Sequence, residues 1–181
     1  MKTIQKTNNS ERKFMVDAMF VKLGRVLRLL GFDTDIANSQ LADIEIEILT
    51  LKEDRLLITH DHAFYQKMAR QNNPTYFLKE LGLHNQVLAL FRHLALDPAI
   101  LIQTANHERL SRCTKCNAPV ASIAKQVILD VLPAGTAERQ EVFWRCTNET
   151  CRQVYWIGGH WDKLHQLFTG VYTDLMRTSS N

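Results

Sequence analysis

The spacing of apolar positions changes several times along the first hundred residues, and each change marks an element. Phe14-Met15-Val16 is a continuous apolar run ending at Asp17, the pattern of a short buried strand with a carboxylate at its C-terminal edge. Met19, Leu23, Val26, Leu27 and Leu30 then recur at helical spacing, with Lys22, Arg25 and Arg28 on the other face and Gly31 as a stop. Phe32 to Ile36 is a short extended segment. Leu41, Ile44, Ile48, Leu49 and Lys52 suggest a second helix whose first turns carry Asp43, Glu45 and Glu47, where the helix dipole favours acids. Leu56-Leu57-Ile58-Thr59 is a second buried strand with Asp61 just past its end. Residues 62–70 read as a helix, Thr75 to Leu78 as a strand, and Asn85 to Leu94 as a helix. Strands alternating with helices imply βαβ units and a parallel sheet.

A break near residues 106–112 precedes a different kind of sequence. Ser122 to Val131, Val142 to Arg145 and Gln153 to Ile157 read as strands around a Pro133-Ala134-Gly135 turn, and His160 to Phe168 as a closing helix. The domain organisation expected is therefore a frayed leader over 1–13, an α/β domain over 14–110, a second module over 111–170 and a tail over 171–181. With 181 residues, 45% of them hydrophobic and 23% charged, the composition is that of a globular chain, which excludes wholesale disorder and fibrous architectures. No apolar run reaches the roughly 18 residues of a membrane span, so a soluble, cytoplasmic protein is expected. The net charge of +3 is too small to indicate a partner.

All four cysteines fall in the second module, as Cys113-x2-Cys116 and Cys146-x4-Cys151. Two short loops that each deliver two thiolates suit tetrahedral Zn²⁺, whereas two structural disulfides suit an oxidising compartment better than the cytosol. A thioredoxin-like redox motif is the other alternative, but Cys113-Thr114-Lys115-Cys116 neither follows an apolar strand nor opens an apolar helix. Cysteine knuckles separated by β-structure describe a zinc ribbon with structural Zn²⁺.

In open α/β sheets, ligands bind outside the carboxyl ends of the strands, where Asp17 and Asp61 are expected. Asp43 and Asp33 can complete a ring of acids. Clustered carboxylates repel unless a cation neutralises them, and Mg²⁺ or Mn²⁺ prefers such ligands. Each aspartate also has an ordinary use, since Asp commonly caps helices and forms turns.

The run from Phe14 through Val16-Asp17-Ala18 to Gly31-Phe32-Asp33-Thr34 resembles the opening of the Mut-seven C-terminal RNase family, a PIN-like nuclease domain followed by a zinc ribbon. Leu57-Ile58-Thr59-His60-Asp61 resembles its second motif, and Arg112-Cys113-Thr114-Lys115-Cys116-Asn117 with Val154-Tyr155-Trp156-Ile157-Gly158-Gly159-His160-Trp161 resembles its ribbon. The resemblance implies a PIN-like three-layer α/β/α sandwich with a parallel sheet, followed by a small zinc ribbon. It also implies a Mg²⁺- or Mn²⁺-dependent ribonuclease acting on RNA phosphodiesters, with Asp17, Asp43 and Asp61 as catalytic metal ligands, Asp33 as a further candidate, and Cys113, Cys116, Cys146 and Cys151 on zinc. The competing expectation is a non-catalytic RNA- or protein-binding module.

The chain departs from the family pattern at the four-residue spacing of its second cysteine pair, and at His60 and His62, where arginines are usual. Thr59 is a candidate to orient a carboxylate. Lys22, Arg25 and Arg28 are candidates to meet the RNA backbone. Tyr155, Trp156 and Trp161 are expected either to pack the ribbon or to stack on bases, and His160 to serve a structural or RNA-contacting role.

Overall fold

The computed structural model describes residues 12–107 and 111–178, apart from the side chains of His160 and Thr178. Of the expected leader, only Arg12 and Lys13 lie within the described residues. The first part of the chain runs β1 (Lys13–Val16), a 3₁₀ turn (Ala18–Phe20), α1 (Val21–Leu29), β2 (Asp33–Ile36), α2 (Asp43–Lys52), β3 (Leu56–Thr59), α3 (His62–Arg70), β4 (Thr75–Phe77), α4 (Leu83–Leu94) and α5 (Ala99–Ala105). The four strands form a parallel sheet in the order β2-β1-β3-β4.

Strand alternation divides the core into two layers. Phe14, Val16 and Ile58 face α1, α4 and α5, while Met15 and Leu57 face Ile46 of α2 and Phe64 and Met68 of α3. Crossover handedness explains the division. From β1 the chain steps one way to β2, then crosses back to β3 and on to β4, and right-handed crossovers in opposite directions place their helices on opposite faces. The result is α/β, with helices covering both sides of the sheet. Gly24 lets α1 lie close on β2, because a Cβ there would stand 2.6 Å from the Ile36 side chain.

Several packing expectations change. Met19 is 70% exposed because the chain enters α1 through a 3₁₀ turn that rotates it off the buried stripe. In α2 the sheet receives Ile46 and Thr50, leaving Ile44, Ile48 and Leu51 outside; apolar residues occupy both faces of this helix, so their spacing did not select one. Arg28 is buried rather than part of a solvated basic face, whereas Lys22 and Arg25 are exposed.

The second part contains β5 (Val120–Ile123), α6 (Thr136–Arg139), β6 (Phe143–Cys146) and β7 (Val154–Trp156), with β5-β6-β7 forming an antiparallel sheet. The strand expected as far as Val131 stops at Ile123. Beyond it, Ile128 is buried, but Val127, Leu129 and Val131 are exposed in 3₁₀ turns with no strand alongside. The closing helix α7 (Gly159–Thr178) is longer than expected and covers residues expected as tail. Its Phe168, Val171 and Leu175 enter the core of the α/β part beside α4 and α5.

The cysteine-bearing module is seated on the open edge of β2. The Thr34 N–H donates to Asn117 Oδ1 at 3.0 Å, and its carbonyl accepts from Arg28 Nε at 2.7 Å, so side chains satisfy backbone groups that an edge strand leaves unpaired. Arg28 Nη1 also donates to the carbonyls of Thr114 and Lys115 at 2.9 and 3.1 Å. Beside it, Arg55, only 5% exposed, pairs with Asp33 at 2.7 Å, Asp35 at 3.1 Å and Glu53 at 2.6 Å.

Arg55→Ala is expected to cost about 3 kcal/mol, near the low end for breaking a buried pair because its carboxylates are partly solvated. That corresponds to a fall of roughly 6–12 °C in Tm. Burial pushes the Asp33 carboxyl upward, but hydrogen bonds from Arg55 and Asn117 outweigh it and hold the group below its ordinary range. The stability contributed by Asp33 is therefore present above the ordinary aspartate value and lost as pH falls through the lower folded value. Thermal melts of both proteins check this, and an Arg55→Ala Tm within 1 °C of wild type, a margin of about 0.3 kcal/mol, would contradict it.

Candidate functional site

The reversal of direction after β2 creates a crevice at the carboxyl ends of β1 and β3, the usual ligand position in an open α/β sheet. Asp17 follows β1 directly, and its backbone N–H donates to the Ile58 carbonyl at 3.0 Å, extending the ladder to β3. Asp61 lies two residues past β3 and caps α3, its Oδ1 accepting from Phe64 N–H at 2.8 Å. Thr59 joins them. Its hydroxyl donates to Asp17 Oδ2 at 2.8 Å and accepts from the Asp61 N–H at 3.0 Å. Asp17 Oδ1 accepts from Met19 N–H at 3.3 Å, while Asp61 Oδ2 receives no hydrogen bond from the described residues.

Asp43 opens α2, which follows the carboxyl end of β2, so topology puts it on this same edge with its side chain exposed. The carboxylates of Asp17, Asp43 and Asp61 are not gathered within 4.8 Å of one another, and among the described residues only the four cysteines are. Asp33 stands at the start of β2, on the opposite edge, engaged by Arg55 and Asn117.

Two histidines border the crevice. His60 Nδ1 lies 2.8 Å from the Leu78 carbonyl, and its ring stacks on Phe77 with centroids 5.4 Å apart. The carbonyl accepts from an Nδ1–H, which fixes the ring's orientation. The exposed His62 ring meets Phe77 edge-on at 5.6 Å.

The four cysteine sulfurs form a second centre. Cys113 and Cys151 Sγ are 3.7 Å apart, and Cys116 and Cys146 Sγ 3.3 Å, close to the roughly 3.8 Å edge of a tetrahedron with 2.3 Å metal–sulfur bonds. These residues can hold a metal ion such as zinc. Burial pushes the Cys113 thiol up, but hydrogen bonds from the Tyr155 hydroxyl and nearby backbone N–H groups bring it down to about 6. Cys146 is pushed up to about 12, first by burial and then by its sulfur neighbours. One thiolate thus forms readily and the next resists, a situation that a divalent cation relieves by neutralising several at once. Tyr155 supports the cluster directly, with its oxygen 3.1 Å from Cys113 Sγ and accepting from Thr114 N–H at 3.0 Å.

The Tyr155 contact was not specified by cysteine spacing, nor was the Arg28–Asn117 seat. Asn117, one residue past the first pair, carried the available signal, since asparagine readily adopts the positive φ of 67° found there.

A parallel α/β domain with acids at its topological switch point, joined to a module whose four cysteines could hold a metal, defines the class. The family model for the Mut7-C RNAse domain matches residues 12–168, and the chain belongs to that family. Neither curated proteins nor solved structures yield a match. Among the described residues, no helix is long and apolar enough to cross a membrane.

Proposed function

We propose that this chain is a PIN-like, metal-dependent ribonuclease that hydrolyses RNA phosphodiester bonds at the carboxyl edge of β1 and β3. The observation that carries the reading is the Asp17–Thr59–Asp61 arrangement at the switch point, with an Asp61 oxygen left without a hydrogen bond by the described residues. Membership of an RNase family supplies RNA as the substrate class. Asp17 and Asp61, with Asp43 on the same edge, are hard oxygen donors of the kind Mg²⁺ or Mn²⁺ prefers. When bound, such an ion supplies a more acidic water and neutralises charge developing on the phosphate. Thr59 fixes the Asp17 carboxylate. His60, beside Asp61, borders the same crevice. In this reading the four cysteines hold structural Zn²⁺ and the ribbon aids RNA binding or stability.

The alternative is a non-catalytic RNA- or protein-binding module, and it rests on the capping hydrogen bonds from Met19 and Phe64 to the same two aspartates. Incubation of the zinc-loaded protein with end-labelled single-stranded RNA over a Mn²⁺ series separates the readings. Cleavage that rises with Mn²⁺ and saturates is expected, and RNA that stays intact at every Mn²⁺ concentration would favour the module.

A further inference from the structure

One cavity is lined by none of these acids. It lies in the seam between the cysteine module and the α/β part, has a volume of about 410 Å³, and extends from Leu29 at the end of α1 to the ribbon strands and α7. All three tryptophans of the chain, Trp144, Trp156 and Trp161, line it, together with the Tyr155 ring and His107. The His107 ring lies between two of them, 4.4 Å from Trp161 and 6.1 Å from Trp144 at interplanar angles of 37° and 29°. Flat faces therefore dominate the wall.

The same wall carries polar atoms that the protein leaves unused. Thr104 is 3% exposed and its hydroxyl has no hydrogen-bond partner among the described residues. Trp161 Nε1–H is likewise buried and has no partner among the described residues. Arg112, whose guanidinium also donates to the Asn117 carbonyl at 2.9 Å, adds a cation to the lining. An aliphatic ligand would use neither donor, and a phenyl ring offers no acceptor in its plane. A nucleobase has apolar faces for stacking and ring nitrogens or carbonyls at its edge for Trp161, Thr104 and Arg112.

We infer that this seam binds a single unpaired base of an RNA strand. The inference rests on the ribonuclease reading for its substrate and adds a subsite to it. Arg112 approaches Asp33 at 3.8 Å, which sets this part of the lining near the start of β2, whereas Asp17 and Asp61 lie past the far ends of β1 and β3. The bound base therefore belongs to a nucleotide away from the reacting phosphate, and the subsite acts on affinity and KM more than on kcat.

Because every tryptophan lines this cavity, intrinsic fluorescence reports it without labelling. The test titrates the zinc-loaded full chain, without Mn²⁺, with a single-stranded RNA decamer, with its abasic counterpart and with AMP or UMP. Binding is followed independently by anisotropy, and Mn²⁺-dependent cleavage is measured on the same preparation. Expected are tryptophan quenching by the decamer, loss of quenching with the abasic strand, and an affinity difference of roughly 5- to 100-fold. Thr104→Val keeps nearly the same shape and removes only a hydroxyl that has no partner among the described residues, so its melt should match wild type while the decamer binds about tenfold more weakly and the abasic strand does not change.

Bound or cleaved RNA with unchanged tryptophan emission would overturn the subsite and leave the ribonuclease reading standing. Equal quenching by the abasic strand would also overturn it, as would tighter binding of AMP or UMP than of the decamer or no RNA binding at all. Base-dependent quenching without Mn²⁺-dependent cleavage would support the subsite and count against the ribonuclease reading.

Discussion

Stripping the metal from the four-cysteine centre is expected to unfold the β5–β7 module while leaving the parallel sheet folded. Metal binding at structural zinc sites is worth about 10–16 kcal/mol in small zinc modules, where it amounts to folding free energy. Around the cysteines the module buries Val120, with Ala118, Trp144 and Tyr155 partly covered, and its other fully buried apolar side chains are Phe143 and Ile128, a core too small to stand without the metal. The sheet has its own core, built from Phe14, Val16, Leu57 and Ile58 against helices on both faces. Cys146→Ser should act like chelation. Hydrogen exchange is the appropriate readout: amides of β5, β6 and β7 should lose protection, whereas those of β1 and β3 retain it. Reduced protein that contains no zinc, or ribbon amides indifferent to its removal, would contradict the assignment.

Asp17→Asn should separate a metal ligand from a helix cap. Asparagine is as good a cap as aspartate and can still accept from Met19 N–H or the Thr59 hydroxyl, so the metal-free variant should melt within about 0.5 kcal/mol of wild type. Wild type should gain stability with Mn²⁺, by about 2.7 kcal/mol when the ion is at 100 times its Kd, because the ion binds the folded crevice and hardly the unfolded chain. Most of that gain should vanish in the variant. A pure capping role predicts no Mn²⁺-dependent difference between the two proteins, and melting curves across a Mn²⁺ series decide the matter.

The centre of the parallel sheet was legible because β1 and β3 are continuous apolar runs bounded by polar residues, and Leu56–Thr59 was expected with its observed bounds; the edge strand β2, Asp33-Thr34-Asp35-Ile36, carries no such run. Helix α5 was missed although Asp97-Pro98 supplies a start signal, with Asp97 Oδ1 accepting from Ala99 N–H at 2.9 Å, because seven residues give too little periodicity to stand out. The length of α7 escaped for a different reason. Phe168, Val171 and Leu175 continue its buried stripe, but that stripe packs on α4 and α5, and a contact so distant in sequence leaves no local mark.

At the candidate site, a carboxylate after each buried strand located Asp17 and Asp61. Asp33 resembled them in sequence and fell on the opposite edge because it precedes its strand core where they follow theirs. Arg28 carried no sign of its task, since its helical position matched that of the exposed Lys22 and Arg25 while its partners, Thr34, Thr114 and Lys115, come from the sheet edge and a knuckle 86 residues away.

The most direct measurement compares initial rates of cleavage of one labelled single-stranded RNA by zinc-loaded wild type, Asp17→Asn and Asp61→Asn at the same Mn²⁺ concentration. The two substitutions should each lower the rate by on the order of 10²–10³, the effect of removing one preorganised electrostatic group from a reaction centre, with folding and zinc content unchanged. Wild-type rates in both variants, or no Mn²⁺-dependent cleavage by wild type, would contradict the account.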